Sequence, residues 1–387
     1  MKKKLIRITT VPISLSKLLE GQLHYMSTFY DVIGVSSDEK TLKQVGEKEG
    51  VETFHLEMTR KITPVQDLIA VIKLYRFLKK EQPFIVHTHT PKAGAVGMFA
   101  AKLAGVPHRL HTVAGLPLLE ATGVKRKILN GVEKITYACA TKVYPNSKGL
   151  QNIIIENNFT TVNKLKIIAN GSSNGINTTY FSQEIVSNSL LKKLRKELNI
   201  SEEDFVFVFV GRIVKDKGIN ELISAFSKIA NDSDSAKLLL VGPLESDLDP
   251  LNSETLMTIS SNKQIISVGY QDDVRPYFAM SNTLVFPSYR EGFPNVVMQA
   301  CAMELPCIVS DINGCNEIIK NNKNGTIIPV KNREVLYATM KLYLENPNQL
   351  LQMKKGIRAE IQEKYERSVV CGALLNEYKN LENNYVR

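Results

Sequence analysis

Apolar positions along this chain fall into short, nearly unbroken runs, separated by longer stretches in which apolar residues recur with helical spacing. In the first half the runs predict strands at residues 5–9, 31–35, 53–56, 84–88, 110–113, 142–144 and 166–168, with helices between them, for example at 66–79 and 93–104. In the second half they predict strands at 205–210, 237–241, 265–268, 284–286, 307–309 and 326–328, with helices such as 219–230 and 296–303. Three more helical stretches, 333–346, 349–365 and 369–385, close the chain. Strands that are apolar on both sides, alternating with helices, specify parallel sheets covered on both faces. The polar stretch at 174–188 divides the pattern into two such series, so the fold class is α/β with two doubly wound, Rossmann-like domains.

Composition agrees with globular domains: 387 residues, 43% hydrophobic and 23% charged. No apolar run approaches the roughly 20 residues that span a bilayer. The basic, then apolar N-terminus (Lys2, Lys3, Lys4, Leu5, Ile6) is interrupted by Arg7 and reads as a first strand, not a signal peptide. Cys139, Cys301, Cys307, Cys315 and Cys371 form no C-x-x-C and read as reduced, mostly buried thiols of a cytosolic protein. Charge changes the picture more. The net charge of +10 divides into +12 over residues 1–170 and −2 over the remainder. A one-sided basic surface calls for an anionic partner. Nucleic acid is disfavoured, because no zinc finger, RRM signature or interleaving of aromatic and basic residues is present.

Two loops carry the candidate chemistry. Arg290-Glu291-Gly292-Phe293-Pro294-Asn295 lies between the strand at 284–286 and the helix that opens near Val296. A carboxylate, a glycine turn and a helix N-terminus can together hold a sugar-phosphate: Glu291 accepts sugar hydroxyls, and free N–H groups of Phe293, Asn295 and Val296 face an anion. Gly211-Arg212-Ile213-Val214-Lys215-Asp216-Lys217-Gly218 again joins a strand to a helix and adds two cations, Lys215 and Asp216 being its expected exposed members. Both loops follow strands of the second series, the end at which such sheets bind ligands.

These residues resemble the retaining glycosyltransferases of family 4, whose GT-B fold sets two Rossmann-like domains facing across a cleft. The specific parts are Gly211-Arg212-x4-Lys217-Gly218, Glu291-Gly292-Phe293-Pro294-Asn295 and Pro306-Cys307-Ile308-Val309-Ser310-Asp311. Val86-His87-Thr88-His89-Thr90-Pro91-Lys92-Ala93-Gly94 and Gly171-Ser172-Ser173-Asn174-Gly175-Ile176-Asn177 look like the bacterial capsule and O-antigen subgroup, which extends sugars on a polyprenyl-diphosphate carrier. The resemblance implies an acceptor-side domain at 1–180, a nucleotide-sugar domain at 181–365 and a last helix, 366–387, packing back on the first. It implies that Arg212 and Lys217 hold the donor diphosphate and stabilise the leaving group. Glu291 would hold donor-sugar hydroxyls, and Gly211, Gly292, Phe293, Pro294, Asn295, Val296 and Gln299 would complete the donor site. No cofactor or metal is expected, and the donor is taken to be a uridine-diphosphate sugar.

The chain departs from the family pattern twice. Gln299 stands where a second, ribose-gripping glutamate is usual; its amide oxygen still accepts one such bond, without the charge-assisted increment. A histidine usual after an N-domain strand is Ala114 here, and His111, three residues earlier, reads either as a cleft residue or as a satisfied strand histidine. His89 and Lys92, where a strand gives way to a helix, are further candidates for acceptor contact or a plain helix entry. Two D-x-D triplets, Asp232-Ser233-Asp234 and Asp247-Leu248-Asp249, fall in polar loops and read as chance, as does a zinc site on His87, His89 and His111. Residues 116–139 mix apolar side chains with Lys125, Arg126, Lys127 and Lys134, a pattern that suits either an anionic membrane interface or packing on the sheet. The expected partners are thus a nucleotide-sugar, a lipid-linked saccharide and an anionic membrane surface, with the protein cytoplasmic and peripheral at the inner face of the cytoplasmic membrane. The competing classes are a nucleotide-sugar epimerase of the same fold and a non-catalytic sugar-nucleotide binder. A dinucleotide-dependent oxidoreductase is disfavoured because no strand is followed by G-x-G-x-x-G.

Overall fold

The structure, a computed structural model, describes residues 2–245 and 249–385. The chain forms two compact units, Met1–Gly175 with Ser368–Arg387, and Ile176–Arg367.

The first unit is a parallel six-stranded sheet of β1 (Lys4–Ile8), β2 (Asp31–Ser36), β3 (Glu52–His55), β4 (Ile85–His89), β5 (His108–Val113) and β6 (Lys142–Pro145), in the order β3-β2-β1-β4-β5-β6. Its helices are α1 (Gln22–Ser27), α2 (Glu39–Glu49), α3 (Pro64–Glu81), α4 (Pro91–Leu103), α5 (Gly123–Cys139) and α6 (Lys148–Glu156). Alternation along β1 shows why the strands lack a polar side. Ile6 and Ile8 enter one core with Leu74 and Leu78 of α3, Val96 of α4 and Tyr137 of α5. Leu5 points the other way, into a second core with Leu23 of α1 and Leu42 of α2. Prolines at the first positions of α3 and α4 cost no hydrogen bond there and fix the helix entries.

The second unit repeats the plan with β7 (Phe205–Val210), β8 (Ala236–Val241), β9 (Ile265–Gly269), β10 (Thr283–Phe286), β11 (Cys307–Ser310) and β12 (Gly325–Ile328), in the order β12-β11-β10-β7-β8-β9, all parallel. Its helices are α7 (Asn188–Glu197), α8 (Ile219–Asp232), α9 (Ser253–Ser261), α10 (Arg275–Ala279), α11 (Asn295–Ala302), α12 (Cys315–Ile318), α13 (Arg333–Glu345), α14 (Pro347–Lys354) and α15 (Ile357–Tyr365). β7 is buried along its whole length, as a central strand between two helix layers must be. The last helix, α16 (Arg367–Asn383), belongs to the first unit from Ser368 onward, where Leu374, Leu375 and Tyr378 join the core that holds Leu5.

Three expectations need correction. The strand at 166–168 is absent: Leu165 makes a single bridge to Val143, then Ala169 takes a positive φ of 51° and the chain turns away. The helix at 349–365 is two helices, α14 and α15, separated at Lys355-Gly356. The first join between units falls after Gly175 rather than after residue 180. Ile176 exchanges backbone bonds with Tyr365 and Arg367 (2.8 and 2.9 Å), and Phe181 and Val186 enter the second unit's core.

Candidate functional site

In the second sheet the chain order reverses between β7 and β10. From β7 the chain winds outward through β8 and β9, and from β10 through β11 and β12. Loops leaving neighbouring strands at such a reversal go to opposite faces and open a crevice at the strand ends. The two loops there are the two sequence motifs, and they are laced together. The N–H of Tyr289 donates to the carbonyl of Asp216 at 2.8 Å, and the Arg290 guanidinium donates to the Asp216 carboxylate at 3.0 Å. The Lys217 ammonium forms an ion pair with the Glu291 carboxylate, which also accepts from the Ser288 hydroxyl at 3.2 Å.

Glycines allow this closeness. Gly218 takes a φ of 71°, and a Cβ there would run into the carbonyl oxygen of Pro287. Gly242, after β8, takes a φ of 148°, and its Cβ would strike the carbonyl oxygen of Gly211. Arg212, next in line, is about two-fifths exposed and pairs with Glu245 at 3.0 Å. Each of the two expected cations therefore rests on a carboxylate, a partner that an incoming phosphate can replace. Lys217 also lies 5.7 Å from the centre of the Phe286 ring.

Beyond Glu291 the chain turns at buried Gly292 into α11, capped by Pro294 without a side-chain bond. The first-turn N–H groups, those of Asn295 and Val296, have no acceptor within the helix and carry its positive end. Phe293 offers only backbone to a ligand, because its ring is buried 5.2 Å from that of Tyr365. Gln299, one turn on from Asn295, is half-buried, and its side chain has no hydrogen-bond partner among the described residues. Burial, with the Glu291 carboxylate adding to it, pushes the thiol of neighbouring Cys315 well up, against the opposing pull of Lys217. That thiol stays protonated at neutral pH and is no nucleophile.

Asp216 is not the exposed member expected of its loop. It is largely covered, ties Arg290 down, and its own N–H donates to the Asp249 carboxylate at 2.5 Å. Lys215 is exposed. The roles of Arg290, Glu245 and Ser288 had no sequence signal, since each depends on which loops the sheet order makes neighbours.

In the first unit the candidate histidines lie inside. His111 is buried, with Nδ1 2.7 Å from the Thr88 hydroxyl and its ring over Gly94, and burial holds it down to about 4, so it is neutral. It is a strand histidine, not a surface one. His89 is also buried, its Nε2 2.8 Å from a guanidinium nitrogen of Arg7. Its Nδ1 and the side-chain oxygen of Asn146 have no partner among the described residues, and both residues line one small recess at the ends of β4, β5 and β6, shared with Ser172 and Ser173. Lys92 bonds Asp67 of α3 at 2.5 Å. His87 has both nitrogens engaged, by Tyr378 at 2.5 Å and Thr112 at 2.8 Å. Among the described residues no group of three or more His, Cys, Asp or Glu is placed to hold a metal, and Asp247 of the second D-x-D triplet lies outside them.

Residues 27–171 match the family model of the glycosyl transferase 4-like domain, and residues 192–360 that of glycosyl transferases group 1. The capsular polysaccharide biosynthesis glycosyltransferase CapM of Staphylococcus aureus is 32% identical over 378 residues, 97% of each chain. The chain belongs to this glycosyltransferase family. An Escherichia coli UDP-Gal:alpha-D-GlcNAc-diphosphoundecaprenol alpha-1,3-galactosyltransferase is 33% identical over 70% of this glycosyltransferase and 69% of its own length. Among solved structures, a glycosyltransferase from Rickettsia africae superposes with a TM-score of 0.81 at 18% identity, covering 99% of this chain and 100% of that one. Anabaena HepE in complex with UDP-glucose gives 0.78 at 16% identity, covering 98% and 100%. These likenesses are of fold, and the fold is GT-B with two Rossmann-like domains.

The second unit of the glycosyltransferase thus presents Arg212 and Lys217, each paired with a carboxylate (Glu245 and Glu291), and the positive end of a helix at one sheet end. That set can hold a polyanion carrying a hydroxylated group.

Proposed function

We propose that this glycosyltransferase is a retaining enzyme that moves a hexose or N-acetylhexosamine from a uridine-diphosphate sugar to a polyprenyl-diphosphate-linked saccharide during surface polysaccharide assembly, at the inner face of the cytoplasmic membrane. The Lys217–Glu291 ion pair at the reversal of the second sheet carries this reading. It holds a phosphate-binding cation and a hydroxyl-binding carboxylate side by side, as a sugar-diphosphate requires. The relatives acting on diphosphoundecaprenol-linked sugars support the acceptor class.

Donor binding replaces the carboxylate partners of Lys217 and Arg212 with diphosphate oxygens, leaving Glu291 to accept sugar hydroxyls. The bond from the sugar's anomeric carbon to the phosphate oxygen then breaks, with Lys217, Arg212 and the α11 N–H groups stabilising the charge that collects on the leaving diphosphate. The acceptor hydroxyl adds to the anomeric carbon from the face the phosphate leaves. Its proton passes to the departing phosphate oxygen, so neither an enzyme nucleophile nor a metal is invoked. Acceptor contacts are assigned to the first unit.

Uridine nucleotide-sugars assayed against polyprenyl-diphosphate saccharides test the reading. Arg212→Ala and Lys217→Ala should each lower kcat/KM about 10²- to 10³-fold, the usual cost of removing a charge-stabilising group, with both variants still folded. Near-normal turnover by both variants would overturn the diphosphate assignment. Nucleoside diphosphate released only when acceptor is added separates a transferase from an epimerase or a binder.

A further inference from the structure

α3, α4 and α5 lie side by side over one face of the first sheet, packing inward on the core that holds Ile6 and Ile8. Their outward sides are not those of ordinary solvent-facing helices. On α3, Val65, Leu68, Ile69 and Ile72 are all exposed, Val65 at 74%. They follow the i, i+3, i+4, i+7 spacing of one helical stripe. The helix already buries a separate stripe of Ala70, Val71, Leu74 and Leu78, so the outer one serves no internal packing. α4 adds exposed Phe99 and Leu103, and α5 adds Val124, Ile128 and Ile135, Val124 at 75%.

Charge names the occupant. The three helices carry ten basic and three acidic residues. All three acids are engaged within the unit: Asp67 with Lys92 at 2.5 Å, Glu81 with Lys4 at 2.5 Å, and Glu133 buried. Eight of the basic residues are exposed, among them Lys73, Arg76, Lys125, Lys127 and Lys134. The outer face of the three helices is therefore apolar and cationic, with no exposed acid among its described residues. A second copy of the chain fits it poorly, since a two-fold contact would set these cations against themselves with nothing to pair them. α2, on the opposite face of the sheet, exposes no large apolar side chain and mixes exposed Glu39 and Glu47 with its lysines.

We infer that the α3–α4–α5 face lies on an anionic lipid surface, with the apolar stripes entering the interface and the lysines and arginines meeting lipid phosphates. The inference rests on the proposed lipid-linked acceptor, because it puts the carboxyl ends of β4 and β5, from which α4 and α5 start, beside the bilayer that carries such a substrate.

The test is flotation of the full chain with phosphatidylcholine vesicles, with and without about one-third phosphatidylglycerol, beside light scattering for oligomeric state. The wild-type chain should float with anionic vesicles at least about tenfold more strongly than with neutral ones. Leu68→Glu with Ile69→Glu, or Lys125→Glu with Lys127→Glu, should cut that binding about tenfold while the melting temperature stays put. Transfer to a water-soluble, short-chain acceptor should be unchanged in both variants. Equal binding to neutral vesicles, or variants that float like the wild-type chain, would overturn the surface, as would apolar variants that only convert a dimer to a monomer. Vesicle binding without transfer would instead remove the proposed function and leave the surface standing.

Discussion

The two units share one architecture and treat polar groups in opposite ways. In the second, the cations and carboxylates at the sheet's ligand end are partly exposed and paired with one another, as in Lys217–Glu291, Arg212–Glu245 and Arg290–Asp216. In the first, the polar groups beneath the corresponding strand ends are buried. Arg7 is fully covered and donates to Gln22 and to the Tyr378 hydroxyl, while Tyr378 in turn engages His87, which engages Thr112. Ion pairs at an open sheet end can be exchanged for a ligand, whereas fully buried networks are expensive to disturb. The second unit thus keeps its paired charges at an open sheet end, and the first uses its polar groups to fix its own core.

Acid should separate the two units most strongly. All six histidines of the chain lie in the first unit. Burial holds His87 and His89 well below the usual imidazole range, and His111 down to about 4. Below pH 6.5 the unfolded chain takes up protons that the folded unit refuses, so stability falls as pH drops from 6.5 towards 4, His111 alone contributing about 3 kcal/mol. Glu133 acts the other way. Burial raises its carboxyl to about 6, so it protonates in the folded state first and stabilises the unit by about 2 kcal/mol between pH 6 and 4.5. Three neutral histidines outweigh one carboxyl. In the second unit Glu360, despite burial, is held down to about 2 by Lys323, Lys364 and Lys320, and its contribution is lost only below the usual carboxylate range. Calorimetry at pH 7 and pH 4.5 should therefore show the first unit's transition fall while the second's holds; a common shift of both would break the contrast.

A smaller effect is expected inside the network. Tyr378→Phe removes the hydroxyl 2.5 Å from His87 Nδ1 and 3.1 Å from an Arg7 nitrogen, leaving two buried polar groups short of a partner. That should cost the first unit about 2 kcal/mol, read as a lower melting transition, with kcat/KM of the folded enzyme unchanged. A loss of turnover at constant stability would place Tyr378 in the chemistry instead.

The same contrast explains what the sequence could disclose. Strand positions and the two second-unit loops were legible because they are local: apolar runs of strand length, and a cation or carboxylate beside a glycine between a strand and a helix. The strand expected at 166–168 failed because pairing is decided by the partner, and β6 offers Leu165 only one rung. His111 remained open because one side of a buried strand looks like the other in sequence, and only Thr88 and Gly94 show that it packs inward. Asp216 read as exposed because its partners, Arg290 and Asp249, come from loops 74 and 33 residues away. The mixed apolar and basic pattern is legible on residues 116–139, but the outer stripe of α3 is not, because it counts as surplus only once the first stripe is seen to fill the core.

The smallest effect sharpens the reading of the second unit's own departure from its family. Gln299 sits one turn inside α11, and among the described residues its amide has no partner to give up on binding. Its carbonyl oxygen can accept a ribose hydroxyl, but a carboxylate at the same place accepts with roughly twice the strength. Gln299→Glu should therefore tighten uridine diphosphate binding a few-fold, on the order of 1 kcal/mol or less, in titration calorimetry, and lower the donor KM without raising kcat. The added negative charge would also face a diphosphate held, as proposed, by Lys217 and Arg212, and at low salt that repulsion would reduce the gain. If the carboxylate weakened binding at high salt as well, the side chain would lie nearer the phosphates than the ribose, and the donor would have to be turned about in the crevice between the two loops.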